Sequence, residues 1–404
     1  MTKFKTYFTL FLTFVIVQFS IAQEWQAINS VPDDFRTDHT FGFGIDGTGY
    51  IVTGARFDGV FTKSFYSYDP TTDTWTKKED FPGPARSFAI GDVYEGKAYL
   101  GFGADSNFNI LDDLWVYDPA TDEWTELASC ECLARTHPAM NIVDGKIYVG
   151  MGGSNQGNRN DWWEYDIATN IWTRRADFPA APRHHPFQFV ADGQIFAGFG
   201  HGDGFISNEW YKYDHTSDEW IQVLTLPGEG RVAGTQFSHG AMGYVLSGDG
   251  SDHQSMEEGE FWQYDPSNNQ WTEMPSHPGL SRWAPASFVV DDEVYLIGGY
   301  STGIGYPSTS YKFPLTSVMV NTDEAELPNI ALYPNPAKDI LHLKTSARLS
   351  ADTPIKIYTA NGQLAQTAVA VGGTIDITSL ATGLYFAAIT TEENTTVKTA
   401  FTKQ

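Results

Sequence analysis

Six arginines stand at one fixed offset in this chain. Arg36, Arg86, Arg135, Arg183, Arg231 and Arg282 each lie eleven residues after a tryptophan, namely Trp25, Trp75, Trp124, Trp172, Trp220 and Trp271. A guanidinium offers a planar fork of donors that fits a carboxylate or a sulfate, so a ring of them would trap an acidic ligand. The same fork also serves as an internal strut, paired with a buried acid or carbonyl that every repeat needs. The sequence leaves both readings open. Residues outside the repeat point to a site more sharply, because symmetry does not require them. His39, His137, His184, His185 and Trp283 each lie within three residues of one of these arginines, in four different repeats. Imidazoles and an indole beside arginines suit stacking on a sugar ring and holding its acidic groups; solvated loop histidines are the plainer alternative.

Other chemistry finds less support. Cys130 and Cys132 are the only cysteines, separated by Glu131. Outside the cytoplasm such a pair tends to oxidise, yet a Cys-x-Cys ring is tight, so bonded and reduced forms both stand. Two thiols and His137 are too few ligands to argue a zinc site, and no metal or cofactor is expected. The densest acidic stretch, Asp249 to Glu260, lacks the alternating ligand spacing of a calcium loop. Gly42-Phe43-Gly44-Ile45-Asp46-Gly47 satisfies a dinucleotide fingerprint in letters only, since it lies in a strand with no helix after it. The chain contains no Gly-x-Ser-x-Gly elbow and no His-Glu-x-x-His.

The arginines belong to a longer pattern that must position them. Five of the tryptophans follow a Tyr-Asp pair by seven residues: Tyr68-Asp69, Tyr117-Asp118, Tyr165-Asp166, Tyr213-Asp214 and Tyr264-Asp265. A sixth tyrosine, Tyr311, has no tryptophan after it. Aromatic residues two apart, such as Trp115 and Tyr117, share one face of a strand. Asp69-Pro70-Thr71-Thr72-Asp73 and its counterparts carry turn chemistry. Upstream, β-rich runs end in glycine, as at Tyr50 to Gly54 and Ile195 to Gly200. Each unit therefore reads as four strands. The first follows the arginine, the second ends in glycine, the third carries Tyr-Asp and the fourth begins at the tryptophan. The sixth unit lacks its last strand, while an orphan tryptophan strand, Glu24 to Ile28, opens the mature chain. The orphan is expected to complete the sixth sheet and remove the free edges.

Period, four-strand content, glycine-ended second strand, Tyr-Asp and Trp together resemble the kelch repeat, from about residue 24 to 313. The resemblance implies a β-propeller. Gly-Gly doublets stand only at Gly152-Gly153 and Gly298-Gly299, a departure in single repeats that leaves the period intact. Some kelch propellers grip acidic ligands with arginines at this repeat position. Others are copper oxidases, whose cross-linked cysteine and tyrosine find no counterpart here, or periplasmic sugar-acid enzymes, whose catalytic set cannot be mapped onto this chain.

The two ends carry addresses. Lys3 and Lys5, an apolar run from Tyr7 to Phe19, and small residues at Ser20 and Ala22 read as an export signal cut before Gln23. The run is too short to span a bilayer, and no other segment is apolar enough. At the other end, Tyr333-Pro334-Asn335-Pro336, Ile357-Tyr358 with Asn361-Gly362-Gln363, and Leu380-Ala381-Thr382-Gly383-Leu384-Tyr385 resemble the carboxy-terminal sorting domain of type IX secretion. That resemblance implies recognition by the type IX translocon, and then release or surface attachment.

With 25 Lys+Arg against 50 Asp+Glu, the net charge is -25, which repels nucleic acid and anionic membranes. The expected architecture is all-β: a six-bladed kelch-type propeller closed by its N-terminal strand, then a small C-terminal β-sandwich. Expected boundaries are 1–22 for the signal peptide, 23–313 for the propeller, 314–327 for the linker and 328–404 for the sorting domain. The expected function is an exported, monomeric binding module for an extracellular glycan or protein with acidic groups. A sugar-acid mutarotase or lyase, and a purely structural surface component, are the rivals.

Overall fold

The computed structural model of the chain describes residues 23–315, 330–345, 353–359, 363–370, 373–390 and 396–404. The export signal expected over 1–22, nearly all of the linker and the Asn361-Gly362 turn lie outside the described residues. The described residues form two units, one before the linker and one after it.

The first unit is a wheel of six antiparallel sheets. Blade three shows the plan: Ala139–Val143, Lys146–Gly150, Trp162–Asp166 and Ile171–Arg175 pair in sequence order, innermost strand first. Blades two, four and five repeat it. Blade one does so too, with short extra pairings at its edge from Thr37–Asp38, Arg86–Ser87 and Ala104–Asp105. Blade six has three strands of its own, and Gln26–Ile28 adds the fourth, with Ala27 opposite Tyr311. Six blades and closure by the N-terminal strand are therefore as expected. The last strand runs one residue further than the sequence reading, to Pro314.

The repeated aromatic residues hold neighbouring blades together. In each complete unit the buried tyrosine packs on its tryptophan, with ring centroids 4.7 Å apart for Tyr68 and Trp75 and 4.8 Å for Tyr213 and Trp220. Its hydroxyl donates to a side chain five residues on: Asp73, Asp122, Asn170, Asp218 or Asn269. These five residues have positive φ, which Asn and Asp tolerate better than most. Four of the tryptophan indoles donate to a carbonyl on the strand leaving the preceding blade: Trp75 to Asn29, Trp172 to Ala128, Trp220 to Ala176 and Trp271 to Leu224. The core accordingly lies between blades. One cluster joins Tyr99 and Leu114 of blade two to Met140, Ile147 and Trp172 of blade three.

At the centre the seams are tighter still. Gly44 of blade one lies so close to blade six that a Cβ there would stand 1.9 Å from the Val289 carbonyl oxygen. Only glycine fits where the ring closes.

The second unit has two sheets, Ile330–Tyr333, Ile340–Thr345 and Thr374–Asp376 in one, and Pro354–Thr359, Leu364–Val369, Gly383–Thr390 and Thr396–Lys403 in the other. Leu332, Leu341 and Ile375 of the first share a core with Ile355, Ile357, Ala387 and Phe401 of the second. Ile330–Tyr333 and Leu364–Val369 were not anticipated as strands. No described helix is long and apolar enough to cross a membrane.

Trp25 fastens the closing strand. Its ring lies 5.1 Å from Phe313 and 5.7 Å from Phe261, and its indole donates to the Pro275 carbonyl at 2.7 Å. Trp25→Ala is expected to lower the unfolding free energy by about 2 kcal/mol in urea titration. An unchanged midpoint would mean that the strand does not close the ring.

Candidate functional site

Each connection from the outer strand of one blade to the inner strand of the next carries the repeated arginine four or five residues before the inner strand. Arg86, Arg135 and Arg183 are completely buried, and Arg231 and Arg282 nearly so. Four of them face a carboxylate of their own blade. Arg86 forks onto Asp113 at 2.6 and 2.5 Å, and Arg135 onto Asp161 at 2.8 and 3.0 Å. Arg183 meets Glu209 at 2.7 Å and Arg231 meets Glu260 at 2.6 Å. A further guanidinium N–H in Arg86, Arg135, Arg183 and Arg282 donates to the carbonyl sixteen residues on, just before the strand-two glycine. Arg282 has no carboxylate partner and donates to Gly298 and Thr309; burial lowers its pKa to about 10, and it stays charged at neutral pH. These five arginines are buried with their forks engaged inside their own blades, which fits the strut reading of the two that the sequence left open. Their forks are turned inward because each blade must neutralise a buried carboxylate or satisfy buried carbonyls. Arg36 is only half-buried. It donates to the Tyr306 carbonyl and lies 5.7 Å from the Phe57 ring.

The same connections knit the blades at the axis. The N–H groups of Gly103, Gly152, Gly200 and Gly248 donate to the carbonyls of Arg135, Arg183, Arg231 and Arg282 in the following blade. Two residues further along, or three in blade one, the chain turns through positive φ: His39, Phe88, His137, His185, Ala233 and Ala284, with φ between 45 and 64°. His39 N–H donates to the Ala284 carbonyl, His137 to Phe88, His185 to His137 and Ala284 to Ala233. This ring of turns directs the three imidazoles toward one another from blades one, three and four.

The imidazoles meet on the axis. His39 Nε2 and His185 Nε2 are 3.1 Å apart, and the His137 and His185 rings stack with centroids 3.5 Å apart. His39 Nδ1 is 2.8 Å from Asp38 Oδ1, and the Tyr306 hydroxyl donates to Asp38 Oδ2 at 3.0 Å. A second run of imidazoles extends outward. His184 is 4.9 Å from His201, and His201 is 4.6 Å from His253, which lies 6.1 Å from Trp283. Six of the ten histidines are thereby gathered at one mouth, with Trp283 beside His185 at 5.1 Å. Below it, a cavity of about 410 Å³ runs between the inner strands of all six blades, with Asp92, Asn141 and Gln188 among its polar lining.

Electrostatics disfavour the charged form of His137, His184 and His185. Burial, reinforced by neighbouring imidazoles, holds His137 and His185 well below the ordinary histidine value, and burial takes His184 down to about 4. At neutral pH these three rings are not cations. Burial also raises Asp92 to about 7 although both its oxygens accept backbone N–H bonds, from Val93 and Ile142.

The structure brings together every non-repeated residue singled out in the sequence: His39, His137, His184, His185 and Trp283. Sequence reasoning missed Asp38, His201, His253 and Tyr306. His201 had a readable signal, since it directly follows the strand-two glycine and pairs with His184 across a two-residue ladder. The exposed rim carries Phe57, Phe108 and Tyr300, on the loops between second and third strands. Cys130 and Cys132 are bonded to each other, away from the mouth, in the core between blades two and three.

Comparison with known proteins agrees with the propeller fold. The family model for the Attractin/LZTR1 beta-propeller matches residues 49–305, and that for the secretion system C-terminal sorting domain matches residues 331–403. A solved structure titled "Structure of YjhT" is similar at 16% identity and a TM-score of 0.51, over 59% of this chain and 84% of that one. No curated protein matches.

Removing a strut leaves a buried carboxylate unpaired, so Arg135→Ala is expected to destabilise the fold by about 3–5 kcal/mol in denaturant titration. A stable Arg135→Ala protein with impaired ligand binding would return this arginine to the site.

Proposed function

The chain belongs to the Attractin/LZTR1 beta-propeller family, and from that premise we propose that its propeller is a carbohydrate-binding module that works outside the cell. The sorting domain takes the protein through the periplasm to the surface or the medium, by way of the type IX machinery. The observation that carries the binding reading is the convergence of Trp283, His184, His185, His201 and His253 at one mouth, inside a rim bearing Phe57, Phe108 and Tyr300. Symmetry asks for none of these side chains. Rings supply flat apolar faces for the C–H face of a sugar, and imidazole nitrogens supply donors and acceptors for its hydroxyls. Acidic groups on the glycan would meet the half-exposed Arg56 and Arg159, not the buried struts.

A second reading, a sugar-acid mutarotase or lyase, draws on one feature. Asp38 orients His39 with Tyr306 behind it, an arrangement suited to moving a proton at His39 Nε2. Nuclear magnetic resonance of candidate sugar acids separates the readings: faster anomer exchange or bond cleavage supports catalysis, and unchanged spectra across the panel exclude it.

Screening the mature protein against acidic and neutral glycans is expected to yield a ligand whose affinity falls at least about tenfold in Trp283→Ala, with folding intact. Binding that survives in both Trp283→Ala and Tyr300→Ala would overturn the mouth as the site. Deleting residues 328–404 is expected to strand the protein in the periplasm, as followed by cell fractionation; normal delivery without them would refute the sorting role.

A further inference from the structure

The three axial histidines have a geometry that carbohydrate recognition does not require. One ring nitrogen from each lies within 4.8 Å of the others', and among the described residues no other group of three or more histidine, cysteine, aspartate or glutamate side chains is so placed. We propose that His39, His137 and His185 bind a divalent transition-metal ion of the zinc class on the propeller axis, with a coordination position left open toward the channel.

Four observations carry this. The first is spacing. Imidazoles ligating a tetrahedral ion at about 2.0–2.1 Å stand about 3.3 Å apart at their nitrogens, and His39 Nε2 and His185 Nε2 are already 3.1 Å apart. The second is want of partners. Both nitrogens of His137 are sealed from solvent without a hydrogen bond, an arrangement that costs stability unless something else binds there. The third is support from behind. Asp38 accepts from His39 Nδ1–H, which fixes the tautomer that leaves the Nε2 lone pair free, and Tyr306 in turn holds Asp38. The fourth is the donor set itself. Three imidazoles without a carboxylate in the first layer favour zinc, copper, nickel or cobalt over calcium or magnesium.

Binding asks for little movement. The backbones are pinned by the axial hydrogen bonds of His39, His137 and His185. His137 must rotate out of its stack on His185, which turns one of its nitrogens toward the other two. His185 must carry its proton on Nδ1, so that Nε2 ligates in place of its present contact with His39. All three rings bind as neutral imidazoles, and no net proton is released. Burial aids this, because His137 and His185 resist protonation in mildly acidic medium. The fourth position opens into the axial cavity, where a water or a ligand oxygen fits. The proposal shares only His185 with the carbohydrate reading, which otherwise uses the outer residues, and its metal titration is read without any glycan present.

The test uses the mature protein, free of any affinity tag and stripped with chelator. Titration with Zn²⁺ against a competing dye is expected to give one ion per chain, and Co²⁺ is expected to give visible bands of a four- or five-coordinate nitrogen site. Affinity is expected to fall by about 100-fold in His39→Ala and by about tenfold in Asp38→Asn, with His342→Ala unchanged. Zn²⁺ is expected to raise the melting temperature of the parent protein and not that of His39→Ala. Less than one ion bound per two chains at saturating Zn²⁺, or equal affinity in the parent and in folded His39→Ala and His185→Ala, would overturn the proposal. Should those variants fail to fold, the stoichiometry and the Co²⁺ spectrum of the parent protein decide it alone.

Discussion

Sheets arranged around an axis are closest at their inner edges, so the seams there must be sealed without side chains in the way. At four of the six seams in this propeller the repeated arginine makes the bridging contact, and Arg135 shows it most fully. The arginine carbonyl accepts the glycine N–H of the preceding blade, while its guanidinium reaches the carboxylate and the second-strand carbonyl of its own. A single position thereby joins three chain segments in two blades. The buried charge is tolerable because the pairing is forked and the remaining donors are used. Arg36, with neither a carboxylate nor deep burial, marks the seam where the chain's two ends meet.

A consequence is the freedom of the residues next to each strut. The turn into the inner strand demands positive φ, and the axial hydrogen bonds engage only backbone. Neither dictates a side chain. The six positions hold three histidines, a phenylalanine and two alanines. The alanines of blades five and six are buried with Trp283 packed against them, so the mouth is lopsided in a body that is otherwise nearly sixfold. Chemistry can be placed there without disturbing the frame.

Much of the frame was legible in the sequence. The offsets of Trp, Tyr, Gly and Arg fix blade count and closure because each type has one job in every repeat: stacking, clamping, close approach and bracing. The direction of the arginine forks was not legible, since Asp113, Asp161, Glu209 and Glu260 lie 26 to 29 residues downstream in loops of unequal length and stand out only once folded. The axial histidines were visible as a group at a mouth. Their convergence on one point depends on a backbone turn that pattern alone does not reveal. His253 escaped notice for a related reason: it stands on a loop of blade five with no repeat position to anchor it. The cysteine pair was left open by the sequence and is bonded in the structure.

The strand that completes blade six is the first of the wheel in chain order, and its partner, Ser310–Pro314, is the last. A nascent or partly exported chain therefore has nowhere to put Trp25 until almost every other blade exists. Assembly has a terminal step, joining the earliest residues to the latest. Until that step the unfinished rim of blade six is an exposed sheet edge, ready to pair with any passing strand. Such an intermediate needs shelter, and a compartment that delivers the whole chain before it folds would provide it.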